Sequence, residues 1–547
     1  MSRGGTSKER TSKGRATGSR ELARHAKLTE RRDARWRVAR WRVARRAGPR
    51  RAGGVGPLAG RMREAIARIP TAAWVCALVA LLNAVSWSLI TPPFLALDEP
   101  AHFAYVQQLA ETGRLPSSSE NEYSVEEQTA LNDLHQSEVR FRPAGHPIFS
   151  GAEQSKLQSD LAQPLSRAGS GDAGVAASEP PLYYALQTIP YALGSGSSIL
   201  VRLQLMRLLS AVMAGFTALF VFLFLREALP RVRWAWTVGG LGVAFGPLLA
   251  FASSTVDPDA LLFSISAAVL YCLARAFRRG LTQRLALVLG GLIAAGLVTK
   301  LNFVGLAPGA AFGLALLARR EARTIGVSAY YRLLAPALAI AVSPGVLYGL
   351  INLFSHHPLF GLVSGEAAGL ASAGHTISGG FDYIWQFYLP RLPWMHNDFN
   401  GVSTTRQIWF RDTIGLYGWG DTTFPEWVYN LALIPIGAIV VLCLRTLIAS
   451  RAVLRARLAE LLSYAVMTLG LLVLIGVSGY LSYPAAAAEF TDARYLLPLV
   501  GLWGAILALA ARGAGRRWGP AVGAGILVLV IANDLFGQLQ VIARYYG

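Results

Sequence analysis

Charge is scarce in this sequence. Only 15% of its 547 residues are Asp, Glu, Lys or Arg, against roughly 25% in soluble globular domains. Cysteine is scarcer still, with three residues, Cys76, Cys272 and Cys443, all inside apolar runs. Such thiols supply neither a disulfide framework nor metal-ligand spacing, and they read as small buried packers. A G-x-x-x-x-G-K-[ST] phosphate loop is lacking, which argues against an ATP-driven pump and predicts no nucleotide cofactor.

What is abundant is apolar sequence. Hydrophobic residues make up 53% of the chain, in runs of about 15–24 residues, the length a helix needs to cross ~30 Å of hydrocarbon. This excludes a secreted enzyme or a cytosolic dinucleotide-binding protein. It predicts an all-α polytopic membrane protein with about eleven transmembrane helices, near 71–91, 203–225, 234–254, 260–276, 284–299, 302–318, 331–353, 430–447, 460–481, 495–511 and 519–538.

The net charge of +20 is unevenly spread. Residues 1–70 hold 21 Lys and Arg against 5 Asp and Glu, leaving only +4 for the rest. The body is therefore not a basic nucleic-acid binder, and no specific nucleic-acid partner is expected. The tail has no apolar run before Thr71, unlike a secretory signal. It divides the chain into a basic, disordered cytoplasmic tail, 1–70, and a transmembrane domain, 71–547. Its tandem repeat, Trp36–Arg40 then Trp41–Arg45, suits an anionic lipid surface, or serves only to fix orientation.

The positive-inside rule orients the spans. With the tail inside, the inner connections 226–233, 277–283, 319–330, 448–459 and 512–518 are or adjoin clusters of arginine, and the C-terminus lies outside. Two connections on the outer side are long. The first, 92–202, carries thirteen acidic residues against six basic ones. The second, 354–429, is rich in aromatics and histidine. Loops beyond about 15 residues are usually functional or disordered, so chemistry is expected to face outward.

The sharpest stretch, Pro92-Pro93-Phe94-Leu95-Ala96-Leu97-Asp98-Glu99-Pro100-Ala101-His102-Phe103, follows the first span. The prolines stop that helix, and Asp98 is placed to cap a new one running to Gly113. Phe103, Val106 and Ala110 recur at helical spacing, as an interfacial helix lying on the bilayer requires. Asp98 and Glu99 then sit at the outer surface, with His102 one turn later on the same side as Asp98. Such a trio can hold a divalent cation (Mg, Mn or Ca), or one carboxylate can take a proton from a hydroxyl. The plain alternative is an acidic N-cap with a solvated neighbour.

Asp98-Glu99, His102-Phe103 and Glu111-Thr112-Gly113, just after a first span, resemble the first outer loop of C-type glycosyltransferases. These are polytopic enzymes that take a sugar from a polyprenyl-phosphate donor on the outer face of a membrane. Protein mannosyltransferases and lipid A aminoarabinose transferases share the acidic pair. Pro180-Pro181-Leu182-Tyr183-Tyr184, Val256-Asp257-Pro258-Asp259-Ala260, Tyr417-Gly418-Trp419-Gly420-Asp421 and Ala493-Arg494-Tyr495-Leu496-Leu497-Pro498 resemble a bacterial family of predicted integral membrane proteins. Together these stretches cover about 71–500. The resemblance implies a C-type fold, with Asp98 as catalytic carboxylate or metal ligand and Glu99 supporting it. His102 stands where several relatives have arginine, which puts that position's role in doubt.

Other outer-face residues divide between chemistry and structure. Asp257 and Asp259 could bind sugar hydroxyls or metal, or cap a tight turn. Lys300, between two short apolar runs, is a candidate for a lipid phosphate, against a structural ion pair or snorkelling. Arg494 offers a planar fork to a phosphate, or anchors its span; Arg207 is similar. Trp385, Tyr388, Trp394, Trp419 and Trp427 fit an interfacial belt better than sugar stacking. His356, His357 and His396 have no spacing that fixes a ligand set.

The resemblance implies an inverting transfer of sugar from a polyprenyl-phosphate donor to a cell-envelope glycan, lipid or protein acceptor. Lys300 and Arg494 would neutralise the leaving phosphate. A secondary transporter or lipid flippase is the first alternative, but it should place charges mid-span. A non-catalytic envelope-assembly subunit is the second. The Ala-, Gly- and Arg-rich composition points to a bacterium with GC-rich DNA.

Overall fold

The computed structural model describes residues 67–116, 123–143, 145, 150–167, 176–177, 179–354, 376–399, 404–482 and 493–547. The duplicated basic segment, His356 and His357 lie outside them. The unit described here is Pro70–Gly547, an all-α polytopic membrane protein.

Among the described residues, nine helices are long and apolar enough to cross a membrane. They are Thr71–Ile90, Ile199–Ala228, Asp259–Arg279, Phe303–Ile325, Val327–Leu350, Glu426–Ala449, Leu458–Leu481, Ala493–Gly513 and Gly515–Tyr546. Two expected spans are helical but do not reach that length. The run near 234–254 is two helices, Arg233–Ala244 and Pro247–Ala252, because Pro247 offers no backbone N–H to continue the ladder. The run near 284–299 is one helix of 15 residues, Gln283–Leu297, which rises only about 22 Å.

The bundle packs around Ile199–Ala228, which lies against Asp259–Arg279 and Thr71–Ile90. Close backbone approaches are made by glycine, as between membrane helices generally. A Cβ on Gly470 would collide with the carbonyl oxygen of Gly305, so Phe303–Ile325 and Leu458–Ser482 can pack this tightly only with glycine there. The Glu426–Ala449 helix instead exposes Leu431, Ile434, Val441 and Ile448, a surface suited to lipid.

Ion pairs gather the arginine-bearing connections at one end. Buried Glu227 accepts from Arg278 Nη1 at 2.8 Å and pairs with Arg279 at 2.5 Å and Arg275 at 4.0 Å. Arg320 Nη1 donates to the Phe277 carbonyl at 2.9 Å, and Arg457 Nη1 to that of Ala228 at 2.5 Å. Connections 226–233, 277–283, 319–330 and 448–459 thus meet one another, as their alternation along the chain predicts.

Candidate functional site

At the opposite ends of the same helices, residues from four further segments converge. Asp98 follows the Thr71–Ile90 helix, and Asp257 and Asp259 open the Asp259–Arg279 helix. Lys300 joins Gln283–Leu297 to Phe303–Ile325, and Arg494 begins the helical segment Ala493–Leu499.

Asp98 does not cap its helix. It adopts φ 60°, ψ 0° and makes no side-chain cap bond. Left-handed backbone is tolerated by Asp, and the turn aims its carboxylate at Arg494, whose Nη2 donates to Oδ2 at 3.0 Å. Nor does the Glu99–Thr112 helix lie on the bilayer with one side open. Residues 99–107 are all buried, and Phe103 and Val106 pack with Phe94, Tyr105, Tyr183, Tyr184 and Tyr191 in a compact aromatic core. Tyr105 and Tyr184 stack at 3.6 Å. The apolar spacing was correctly legible, but its partner is protein, supplied chiefly by the Leu182–Leu193 helix.

Asp257 is the hub. Its Oδ2 accepts from Arg494 Nη1 at 3.0 Å and lies 3.7 Å from His102 Nε2. Its Oδ1 accepts from the Asp259 backbone N–H at 2.8 Å and from Lys300 Nζ at 3.4 Å. Lys300 also pairs with Asp259 Oδ1 at 2.9 Å. The ring of Tyr495 lies 5.9 Å from Lys300 Nζ and 5.6 Å from the Arg494 guanidinium carbon, within cation–π range. His102 Nδ1 is 2.9 Å from the Tyr184 hydroxyl. Asp98, His102, Asp257, Asp259, Lys300 and Arg494 therefore form one network.

Burial and charge set the protonation states. Burial pushes the Asp257 carboxyl upward, but Lys300, Arg494 and His102 outweigh it and hold it below the usual carboxylate range. Burial would lower Lys300, yet Asp257, Asp259 and Glu179 hold its ammonium above its usual range. His102 is lowered by burial, with Asp257 opposing, which favours the neutral ring. Asp98 is the open member: its side chain is 27% exposed, against 8% or less for Asp257, Asp259, Lys300 and Arg494.

Glu99 and Arg207 belong to a second, closed network. Glu99 Oε1 accepts from Arg207 Nε at 2.7 Å and the Val256 N–H at 3.1 Å. Its Oε2 accepts from Arg207 Nη2 at 2.5 Å and the Phe94 N–H at 3.1 Å. Arg207 further donates to the carbonyls of Ser88 at 3.0 Å, Thr91 at 2.8 Å and Pro92 at 3.0 Å. All five guanidinium donors are committed, so Arg207 has none left for a phosphate. The pair instead ties the Pro92–Asp98 loop and the Val256 turn to the Ile199–Ala228 helix.

The trio Asp98, Glu99 and His102 does not assemble as metal ligands. Glu99 is saturated by donors, and His102 faces Tyr184 and Asp257. Among the described residues, no group of three or more His, Cys, Asp or Glu could hold a metal ion. His396 and Trp394 are exposed, Trp427 is 59% exposed, and Trp419 is buried against Phe141 and Arg140.

One site residue escaped the sequence reading. Glu179 accepts from the Leu301 N–H at 3.3 Å, and burial pushes its carboxyl up to about 7, with Lys300 opposing. Its only signal was an acid directly before the Pro180-Pro181 pair.

The chain belongs to the family described as predicted membrane protein (DUF2142), which it matches over residues 69–502. Among solved structures it is similar to the apo crystal structure of an oligosaccharyltransferase from Archaeoglobus fulgidus. The identity is 12% and the TM-score 0.41, over 86% of this chain and 56% of that one. No curated protein matches it.

Proposed function

We propose that this protein transfers a sugar from a polyprenyl-phosphate donor to a hydroxyl-bearing cell-envelope acceptor at the outer face of the membrane. The observation that carries this reading is the position of Asp98. It is the one partly exposed carboxylate on a buried network of fixed charges, at the bundle end opposite the arginine-rich connections. A carboxylate so placed meets an acceptor from the aqueous side, while the donor's tail stays in the bilayer.

In the proposed step, Asp98 accepts the proton of the acceptor hydroxyl. The acceptor oxygen forms a bond to the anomeric carbon as the bond from that carbon to the phosphate oxygen breaks. Polyprenyl phosphate leaves with the electron pair, and the single displacement inverts the anomeric centre. Arg494 and Lys300 sit beside Asp98 and Asp257, where their positive charge offsets the charge growing on the leaving oxygen. No step is routed through a metal.

A second reading has one observation in its favour. Arg494 already bonds both Asp98 and Asp257, as it would in a structural charge clamp of a non-catalytic subunit. The test is transfer from a panel of labelled polyprenyl-phosphate sugars into acceptor-containing membranes, with wild type and Asp98→Asn at equal abundance. Transfer by wild type and its loss in the variant is expected. Equal transfer by both would remove Asp98 from the chemistry, and donor binding without transfer would favour the non-catalytic subunit.

A further inference from the structure

The first outer loop contains a cavity of 770 Å³ that the network around Asp98 does not use. Its size is that of a site for a small molecule or a short oligomer, roughly 300–1,000 Å³. We propose that this cavity binds a neutral, hydroxyl-rich oligosaccharide, the non-reacting part of the acceptor, and this rests on the glycosyltransferase reading above.

The lining chemistry selects the class of ligand. Glu126 and Arg167 are the charged residues at the wall, 3.5 Å apart, and with Glu111 and Arg202 behind them two acids and two arginines balance. A phosphate or a carboxylated sugar therefore meets no surplus of positive charge. The remaining polar groups are neutral: the amides of Gln154, Gln158 and Gln163 and the hydroxyls of Ser197 and Ser198. Amides and hydroxyls both donate and accept, as a sugar hydroxyl does. Leucine side chains, among them Leu157 and Leu161, supply apolar wall for the C–H faces of a ring.

The floor is rigidly built. Glu126 is buried and accepts from fully buried Arg202 through Oε1 and from Gln107 Nε2 at 3.0 Å through Oε2. Arg202 Nη1 donates to the Tyr191 hydroxyl at 2.7 Å, which in turn donates to Glu111 at 2.7 Å. Arg167 Nη1 is held by the Ser195 carbonyl at 2.9 Å. Both carboxylate oxygens of Glu126 are thus held by buried donors, which fixes its orientation in the floor.

Two helices connect this floor to the Asp98 loop by the same interval. On Glu99–Thr112, His102 faces the charge network and Gln107 holds Glu126. On Ile199–Ala228, Arg207 holds Glu99 and Arg202 holds Glu126. Each step is five residues, a rise of about 7.5 Å, somewhat more than the length of one sugar ring. The cavity floor and the Asp98 loop are thus anchored on the same two helices.

The experiment measures binding separately from transfer. The full chain in nanodiscs is titrated with maltotriose, mannotriose, cellotriose and chitotriose, and binding is followed by ligand-observed NMR and calorimetry. Gln158→Trp and Ser197→Trp fill the cavity from exposed positions, and circular dichroism and thermal melting verify their fold. Binding of at least one trisaccharide, weakened tenfold or more by either Trp variant, is expected. Absence of binding by all four, or binding indifferent to both Trp variants, would overturn the assignment. Transfer that persists without trisaccharide binding would sink the cavity's role alone. Trisaccharide binding in a chain that transfers nothing from any donor would sink the enzymatic reading and leave the cavity standing.

Discussion

Asp98 and Glu99 are neighbours in sequence with opposite situations. Glu99 is fully buried and spends both oxygens on Arg207 and two backbone N–H groups. Asp98 is partly exposed and shares Arg494 with Asp257. The difference comes from what each faces. A left-handed residue at position 98 turns one carboxylate toward Arg494 and the partly exposed side of the network and leaves the next pointing into the bundle. An acidic pair in such a loop therefore need not act as a pair, since one member can hold the loop in the shape that presents the other.

The most direct way to break this contrast is to remove each charge in turn. Asp98→Asn keeps size and hydrogen bonding and is expected to lower transfer by about 10²–10⁴-fold, the usual contribution of a general base. Its thermal stability should stay close to wild type, because the amide oxygen still accepts from Arg494, which keeps Asp257 as its charged partner. Transfer assays and melting curves on one preparation check both halves.

Glu99→Ala should show the converse pattern. It leaves Arg207 buried without its carboxylate, and breaking a buried pair costs about 3–5 kcal/mol. The expected outcome is a low yield of folded protein and a strongly lowered melting temperature, with activity falling in proportion to the folded fraction. A stable Glu99→Ala chain that binds donor but transfers nothing would return Glu99 to the chemistry.

Much of this arrangement was legible before the fold. The helical runs were, because a membrane imposes a length and an apolar composition that a sequence cannot hide. So were the members of the open network, because ionisable residues at span ends are conspicuous against apolar sequence. Their division into two networks was not. Nothing in the order of residues states that Arg207 lies across from Glu99, or that Arg202, one and a half turns away, lies across from Glu126. Phe103 and Val106 show the same limit: their spacing announces an apolar stripe but cannot say whether lipid or protein covers it. Gly246-Pro247 did signal a break, which the span length concealed.

A smaller effect sharpens the account of His102. Tyr184→Phe removes the hydroxyl 2.9 Å from Nδ1 and leaves that buried nitrogen without its partner, at a cost of about 1–3 kcal/mol. Melting should fall accordingly while donor binding persists. An unchanged melting temperature would mean that the ring turns to another partner, and that its contact with Asp257 is not fixed by Tyr184.

A last effect concerns Glu179, which lies beside the open network. Its carboxyl is raised from 4.5 to about 7, chiefly by burial, so between those values the folded chain holds a proton that the unfolded chain releases. Stability from this group is therefore present below about 4.5, declines as pH rises, and is lost above about 7. His102 acts in the opposite sense: burial lowers it, so the unfolded chain takes up the extra proton as pH falls, and stability declines toward acid. The two slopes oppose each other in wild type, and neither is readable from one melting series. Glu179→Gln removes only the first. Melting wild type and variant at pH 5 and pH 8 should show the variant gaining relative stability at pH 8, where wild type must hold a buried charge. An equal difference at both pH values would mean that the Glu179 carboxyl stays ionised, held by Lys300 as firmly as Asp257 is.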